Sequence, residues 1–463
     1  MKISKKKVLA FVIVAIVGSG IGIGAFLFQI LSKTAPETNY WVIPGAPANI
    51  TESQMIKFGV IGDIGEITGD GCWEGAYMAA YEINQAGGIV VNGTTYYFAL
   101  TYEDTNEVDI DFVTTEGVAA AERLVYDKGI QFALGGFKSE AVIAYQEILM
   151  DNQIIFLGCG FTTDIYCHKV QDWYERYKYF FRVMPLNASS LAVETIGFIV
   201  YIGGYLNATR IGILYEDLTW TKGMVKVLKD YLPYYGFDPI IGGLDVPFSL
   251  EDSLSPAQIG AHLNTLWGAG AQLVIPLISQ QGGITMSTQY TVIQPNFALV
   301  GIDVMAQIPS YWNDTGGACE YETIMISTVR TNKTELTIEF WDRYVSMWSH
   351  DPLYTAIGAY DSILLSRDVI NNSQSFDSDV LVNELEKFNT NNPKMGVSGY
   401  TAFTKSHDLR EGWPYGVTLW AQWREDPLNP GQGLTFCVES GGLYPDSIAN
   451  GGPVELPPWV GPF

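Results

Sequence analysis

Histidine and cationic side chains are scarce in this chain. Its 463 residues hold four histidines, His168, His262, His350 and His407, and 26 Lys and Arg against 50 Asp and Glu, a formal net charge of −24. Histidines so few and scattered supply neither a metal cluster nor the partner a nucleophilic triad needs. The patterns GxSxG and HExxH are missing as well, so an enzyme is the least favoured class. No basic run follows Lys7; a phosphate backbone needs clustered Lys and Arg, which excludes nucleic acid as a partner. The acidity reads as a solubility feature. Five cysteines include no CxxC pair, which removes the common zinc and redox spacings.

What is present begins with the N-terminus. Lys2, Lys5, Lys6 and Lys7 precede the uncharged run 8–32. At about 1.5 Å per residue that run, as a helix, is long enough for a bilayer core of roughly 30 Å. The expected arrangement is an uncleaved anchor over 1–33, lysines inside and the rest of the chain outside, with a polar, proline-containing spacer over 34–55. No cysteine lies in or just after the run, which excludes lipid attachment through one. Seven N-x-S/T triplets, starting at Asn49, Asn92, Asn187, Asn207, Asn313, Asn332 and Asn371, are candidates for glycosylation and fit an exterior face. All seven must then lie on the surface. Cys159 and Cys167 flank a turn-rich stretch and can close a small disulfide loop; Cys319 and Cys437 can pair at long range, leaving Cys72 free.

With 48% apolar residues the chain has ample material for cores. Segment 57–89 reads as a strand over 58–62, a glycine-rich loop carrying Asp63, Glu66 and Asp70, and a helix stopped at Gly87-Gly88. Neither a Walker lysine nor a strict GxGxxG spacing accompanies the glycines, which disfavours a phosphate cradle. Strand-like runs at 96–101, 131–134, 154–157, 210–215, 272–278 and 297–300 alternate with helical patterns at 113–128, 140–151, 192–202, 222–235 and 256–269. Alternation of this kind predicts parallel sheets with right-handed crossovers. The number of units predicts two α/β lobes rather than one sheet.

Several stretches resemble, in order, the type I periplasmic (solute) binding proteins of ABC importers, of the branched-chain amino acid and amide receptor kind. They are GVIGDIGEITG with GAYMAAYEINQAGGI in 59–89, Tyr102-Glu103-Asp104-Thr105, the Ala- and Leu-containing helix at 120–128, the "GG-x-x-S" turn ending at Ser139, Phe181-Arg182 before Pro185, the helix segment 358–362, and the hairpin 396–403. The resemblance covers about 56–423. It implies a Venus-flytrap fold, with lobe I at 56–185 and 329–413 and lobe II at 186–328 and 414–440. The chain would cross between lobes at 184–187, 328–332 and 413–416. A Pro- and Gly-rich tail, 441–463, is then a strap or a loose end.

Ligand-binding candidates follow from position and chemistry together. Ser139 opens a predicted helix, where its hydroxyl and the free amides suit a carboxylate; an ordinary N-cap explains it equally. Cys159, Thr162 and Thr163 end another strand, although Phe161 departs from the small residues usual in the resembled family. Trp220 is either an aromatic wall or a helix-packing residue. Ser279 and Gln280 end a strand, with Gln281 beside them, and Asp303 is either an ammonium partner or a turn aspartate. Asp70 and Trp73 are candidates from the opening loop, and Glu66 a weaker one. The implied function is a tethered receptor that closes on a small polar solute, amino acid or amide-like, and presents it to an ABC permease. It needs no cofactor. A sensory ectodomain with a separate signalling partner, or a structural surface protein, are the other classes.

Overall fold

The computed structural model describes residues 40–109, 111–239, 245–416 and 418–463. The expected anchor, 1–33, lies outside the described residues. Two α/β lobes make up the rest. The first is built on β1 (Met55–Gly62), β2 (Ile89–Val91), β3 (Thr94–Asp104), β4 (Phe132–Gly135), β5 (Ile155–Gly158) and β6 (Phe180–Arg182), in the order β2-β3-β1-β4-β5-β6. Phe58 of the central β1 stacks between Phe98 and Phe132, with ring centroids 5.4 and 4.6 Å away. Helices α1 (Ile67–Gln85), α2 (Thr114–Glu122), α3 (Ser139–Asp151) and α4 (Ile165–Asp172) flank this sheet.

The second lobe opens with α5 (Ala188–Leu206) and carries β7 (Arg210–Glu216), α6 (Thr219–Tyr231), β8 (Asp238–Pro239), β9 (Asp245–Phe248), α7 (Pro256–Gly268), β10 (Leu273–Ile278), α8 (Gly282–Ile293), β11 (Ala298–Asp303) and β12 (Thr323–Ile326). The chain then returns to the first lobe for α9 (Thr337–Trp348), α10 (Tyr354–Ser373), α11 (Ser378–Leu385) and the small hairpin β13 (Lys394–Met395) with β14 (Tyr400–Thr401). It ends in the second sheet with β15 (Leu419–Glu425) and β16 (Gly433–Cys437). That sheet runs β16-β15-β12-β11-β10-β7-β8, with β9 also on β7. Helix α5 is the one described helix long and apolar enough to cross a membrane. It is a core helix, its Phe198 stacked on Trp420 at 4.0 Å.

The sheets are mixed rather than wholly parallel. β2 lies antiparallel on β3, β15 on β12 and β16 on β15. β2 and β3 are joined through Asn92 and Gly93, at φ 49° and 82°, the left-handed pair that a two-residue hairpin demands. A hairpin needs no crossover, so the parallel rule does not apply there.

The glycine-rich loop is corrected more deeply. Helix begins at Ile67, so Gly69, Gly71 and Gly75 are helical and serve packing. A Cβ on Gly75 would stand 1.9 Å from the Ala356 carbonyl oxygen, and one on Gly71 2.7 Å from the Thr355 hydroxyl. Their bare backbones let α1 and α10 cross at close range, as small residues do at tight helix contacts. Gly69 in turn lies against the backbone of Asp63.

Two further expectations change, and the tail is decided between its two readings. All five cysteines are free and buried, Cys159 and Cys167 included. The Cys159 thiol lies against the Leu157 carbonyl and the Ser362 hydroxyl, whereas Cys167 lies against Arg182, so each sulfur faces other partners than its expected mate. Six of the seven candidate asparagines are exposed, but Asn187 is half-buried. It caps α5 by accepting from Ser190 N–H (2.8 Å) and donates to Asp408 (2.8 Å), so its amide is consumed. The tail is a strap: Tyr444, Ile448 and Val454 are buried, Tyr444 donates to the Val438 carbonyl (2.7 Å), and Trp459 packs on Tyr290 of α8.

Candidate functional site

A cavity of about 620 Å³, mouth included, lies between the lobes. The first lobe lines it with Phe137, Lys138, Ser139, Gly160, Phe161, Thr162 and Tyr354; the second with Leu191, Leu218, Trp220, Ser279, Gln280, Ile302, Val304, Gln307 and Met325. Pro185, Ser327 and Thr418, at or beside the crossing segments, complete it. A larger hollow of about 910 Å³, its mouth included, continues outward past Glu66, Val108, Gln281 and Met305. The lining is the usual kind for a small-molecule site, apolar and aromatic with few polar groups.

On the first-lobe side, two strand-end loops reach the cavity. After β4 the chain turns through Gly135 and Gly136, both at positive φ (119° and 80°); a Cβ on Gly135 would press 2.2 Å from the Ile61 carbonyl oxygen. Behind the turn sits Glu107, fully buried, accepting from Lys138 N–H (2.9 Å) and the Thr105 hydroxyl (3.1 Å). Burial pushes its carboxyl up to about 7. Ser139 is 1% exposed, and its Oγ has no hydrogen-bond partner. No side chain caps α3 at Lys138, so the free amides of its first turn stand beside that hydroxyl. Lys138 Nζ lies over the Phe112 ring at 4.2 Å, and burial lowers its pKa.

The second loop, after β5, is clamped from behind by Arg182. Its guanidinium is fully buried and donates to the Phe161 and Thr163 carbonyls and to Asp408 (2.7 Å). Phe161, the departure from the family pattern, packs edge-on to Tyr166 at 4.5 Å. Gly136 and Gly158 leave room for its ring; a Cβ on either would stand under 3 Å from it. The loop presents Thr162, whose Oγ1 is also unpartnered.

On the second-lobe side, Glu216 ends β7 fully buried. It accepts from Ser279 N–H (2.8 Å), the Ser279 hydroxyl (2.6 Å) and Gln280 N–H (3.0 Å), and burial pushes it up to about 7. Ser279 therefore lines the cavity with its hydroxyl already donated. Gln280 is 6% exposed and its Nε2 is unpartnered, as is Gln307 Oε1. Trp220, 7% exposed near the start of α6, provides the aromatic wall. Across the mouth, Glu140 of α3 accepts from Thr219 N–H of α6 at 2.7 Å, a direct bond between lobes.

Ser139, Thr162, Trp220, Ser279 and Gln280 are thus brought together, and five other candidates are not. Asp70 accepts from Gly65 N–H (2.9 Å) inside its own loop. Trp73 is a core residue, 3% exposed and edge-on to Tyr102 at 5.4 Å. Cys159 lies behind the loop, and Thr163 is held through its carbonyl by Arg182. Asp303 is fully buried: Oδ1 accepts from Met305 N–H (2.9 Å), Oδ2 from the Tyr311 hydroxyl (2.8 Å), and Gly283 lies against it. The same hydroxyl reaches Glu322 (3.2 Å), whose pKa burial and the Asp303 charge push well up, so this pair is a closed internal network. Phe137, Lys138, Gln307 and Tyr354 lie outside the candidate set. Lys138 was legible as the neighbour of Ser139; Gln307 and Tyr354 stand in segments without a strand-end signal.

Comparison with known proteins agrees with the two-lobed fold. A periplasmic binding protein family model matches residues 56–410. The branched-chain amino acid transporter substrate-binding protein LivJ of Streptococcus pneumoniae, solved with isoleucine, is similar at a TM-score of 0.63 and 17% identity, over 83% of this chain and 99% of that one. The leucine-binding protein LivK of Thermotoga maritima gives 0.65 and 18%, over 82% and 97%. A solute-binding protein of R. palustris in complex with benzoate gives 0.64 and 12%, over 83% and 96%. Among curated sequences none matches. The extent of the family match, on a two-lobed fold with its cavity between the lobes, establishes that the chain belongs to the periplasmic binding protein family, whose members are solute-binding proteins rather than enzymes.

Proposed function

We propose that this protein is an extracytoplasmic solute receptor, tethered by its N-terminal run, that closes its two lobes on a small organic molecule and presents it to an ABC-type permease. One observation carries the reading: Ser139 and Thr162 from one lobe and Gln280 from the other bring unpartnered polar atoms to a single, mostly apolar cavity. Unpaired buried polar groups are costly in an empty protein and become satisfied by a ligand. Lobe closure would bury the solute and give a permease a shape to read. The Glu140–Thr219 bond supports a closed arrangement. Similarity to proteins solved with isoleucine and with benzoate supports a small carboxylate-bearing solute, amino acid or otherwise.

The test is a thermal-shift panel on the full chain in detergent, using amino acids, amides, short peptides, nucleosides and small organic acids. A ligand of the native state raises the melting temperature by mass action. A rise with one class, and copurification of a permease, support the receptor reading; no shift from any class at millimolar concentration overturns it.

A further inference from the structure

Among the described residues, the second lobe lines this cavity with no acid that could meet a ligand's ammonium group. Among the described residues, Lys138 carries the one formal charge on the inner cavity. Three fully buried acids near the cavity, Glu107, Glu216 and Asp303, are committed elsewhere. Glu107 and Glu216 accept from the cavity loops, and Asp303 accepts from Met305 and Tyr311 with both oxygens. Glu140 does not line the cavity; its Oε1 accepts from Thr219, and its Oε2, shut away from solvent, has no partner and is an uncommitted acid oxygen near the cavity.

Donors dominate what is left. Ser139 Oγ, Thr162 Oγ1 and Gln280 Nε2 all lack partners, and among the described residues Gln307 Oε1 is the one unpartnered lining atom that only accepts. The donors from Ser139 and Thr162 stand with the uncapped start of α3 and beside Lys138, all on the first lobe. The opposite wall is Leu218, Trp220, Ile302, Val304 and Met325. An anion fits the first lobe and an apolar or planar body fits the second. An ammonium would be desolvated there without a counter-charge, which is strongly unfavourable.

We propose, resting on the receptor reading above, that the cleft selects a monocarboxylate with a branched or aromatic body and no α-ammonium group, and discriminates against the corresponding amino acid. The carboxylate is held by Ser139, Thr162 and the α3 amides, and the body packs on Trp220 and its apolar neighbours.

Matched pairs test this on the full chain by isothermal titration: 3-phenylpropanoate against L-phenylalanine, and 4-methylpentanoate against L-leucine. Each desamino acid should bind at least about tenfold tighter than its partner, and uncharged 3-phenylpropan-1-ol should not compete. Ser139→Ala should weaken both acids by about tenfold with the melting temperature of the unliganded protein unchanged. If an amino acid binds as tightly as its desamino partner, the proposal falls while the receptor reading stands. Loss of that binding in Glu140→Gln would then name Glu140 as the ammonium partner. If neither pair binds but another solute class does, the proposal also falls alone. If no class binds, both readings fall together.

Discussion

The two lobes hold their cavity loops by the same device and reach different results. In the first, buried Glu107 takes Lys138 N–H and leaves the next hydroxyl, that of Ser139, without a partner. In the second, buried Glu216 takes Ser279 N–H, its hydroxyl and Gln280 N–H together. Two serines at equivalent-looking strand ends therefore differ in chemistry: one is available and one is spent. A residue's type and its place at a strand end do not decide whether it can bind a ligand. The acceptor buried behind it does.

The sharpest way to break the contrast between lobes uses their tryptophans. Trp73→Ala is expected to cost about 3–5 kcal/mol of unfolding free energy, as large core truncations do, with ligand affinity in the surviving folded protein unchanged. Trp220→Ala should cost less stability and lose affinity by at least about tenfold. Denaturant midpoints beside titration separate the two, and an affinity loss in Trp73→Ala would return that residue to the site.

The two glutamates come next. Glu216→Ala strands three donors and should destabilise by about 3 kcal/mol, against about 2 kcal/mol for Glu107→Ala. Guanidinium midpoints that rank them the other way would show that Glu107 anchors more than its loop.

Protonation of the same groups sets a pH dependence. Burial raises Asp63, Asp70 and Asp361 to about 6, and Glu107, Glu194 and Glu216 to about 7, above their ordinary 3.8 and 4.5. The folded chain then binds more protons than the unfolded one across that window. Stability is full below the ordinary values and is lost as pH rises through the raised ones. The melting temperature should accordingly fall from about pH 5 to about pH 7.5. Lys333, lowered to about 8, opposes this only at higher pH. Glu107→Gln and Glu216→Gln should each reduce the fall by a similar amount, since the two lobes shift their glutamates alike. A melting temperature that climbs over this range breaks the account.

The smallest effect belongs to the bond between lobes. Glu140→Ala removes the Thr219 contact and should weaken ligand binding roughly fivefold, about 1 kcal/mol for one such bond. Small-angle scattering of the variant with ligand should show a larger open fraction; an unchanged profile would remove Glu140 from closure.

Much of the fold is legible in the residues. The runs at 210–215 and 272–278 appear as β7 and β10 because strands covered on both faces must be apolar without interruption. Ser139 is legible as a helix start because Gly135-Gly136 precede an amphipathic run. Asn92-Gly93 announces a hairpin as clearly as it announces a sequon, and β2 follows from it. The use of Gly71 and Gly75 is not legible, since a ligand loop and a close helix crossing both require a missing Cβ. Asp303, expected just past the run 297–300, closes β11 instead, and its carboxylate accepts from Tyr311 rather than facing the cavity.

What the sequence by itself determined is the alternation of strands and helices, their order, and the strand ends from which a site has to be drawn. These follow from side-chain period and backbone preference, which act over a few residues. Tertiary structure alone decided which glycines serve packing, which acids are spent on backbone amides, and which hydroxyls remain free. The reason is distance along the chain: Glu216 meets Ser279, and Gly75 meets Ala356, only after the sheet and the helix pair have formed. Availability for a ligand is what such long-range partners leave over.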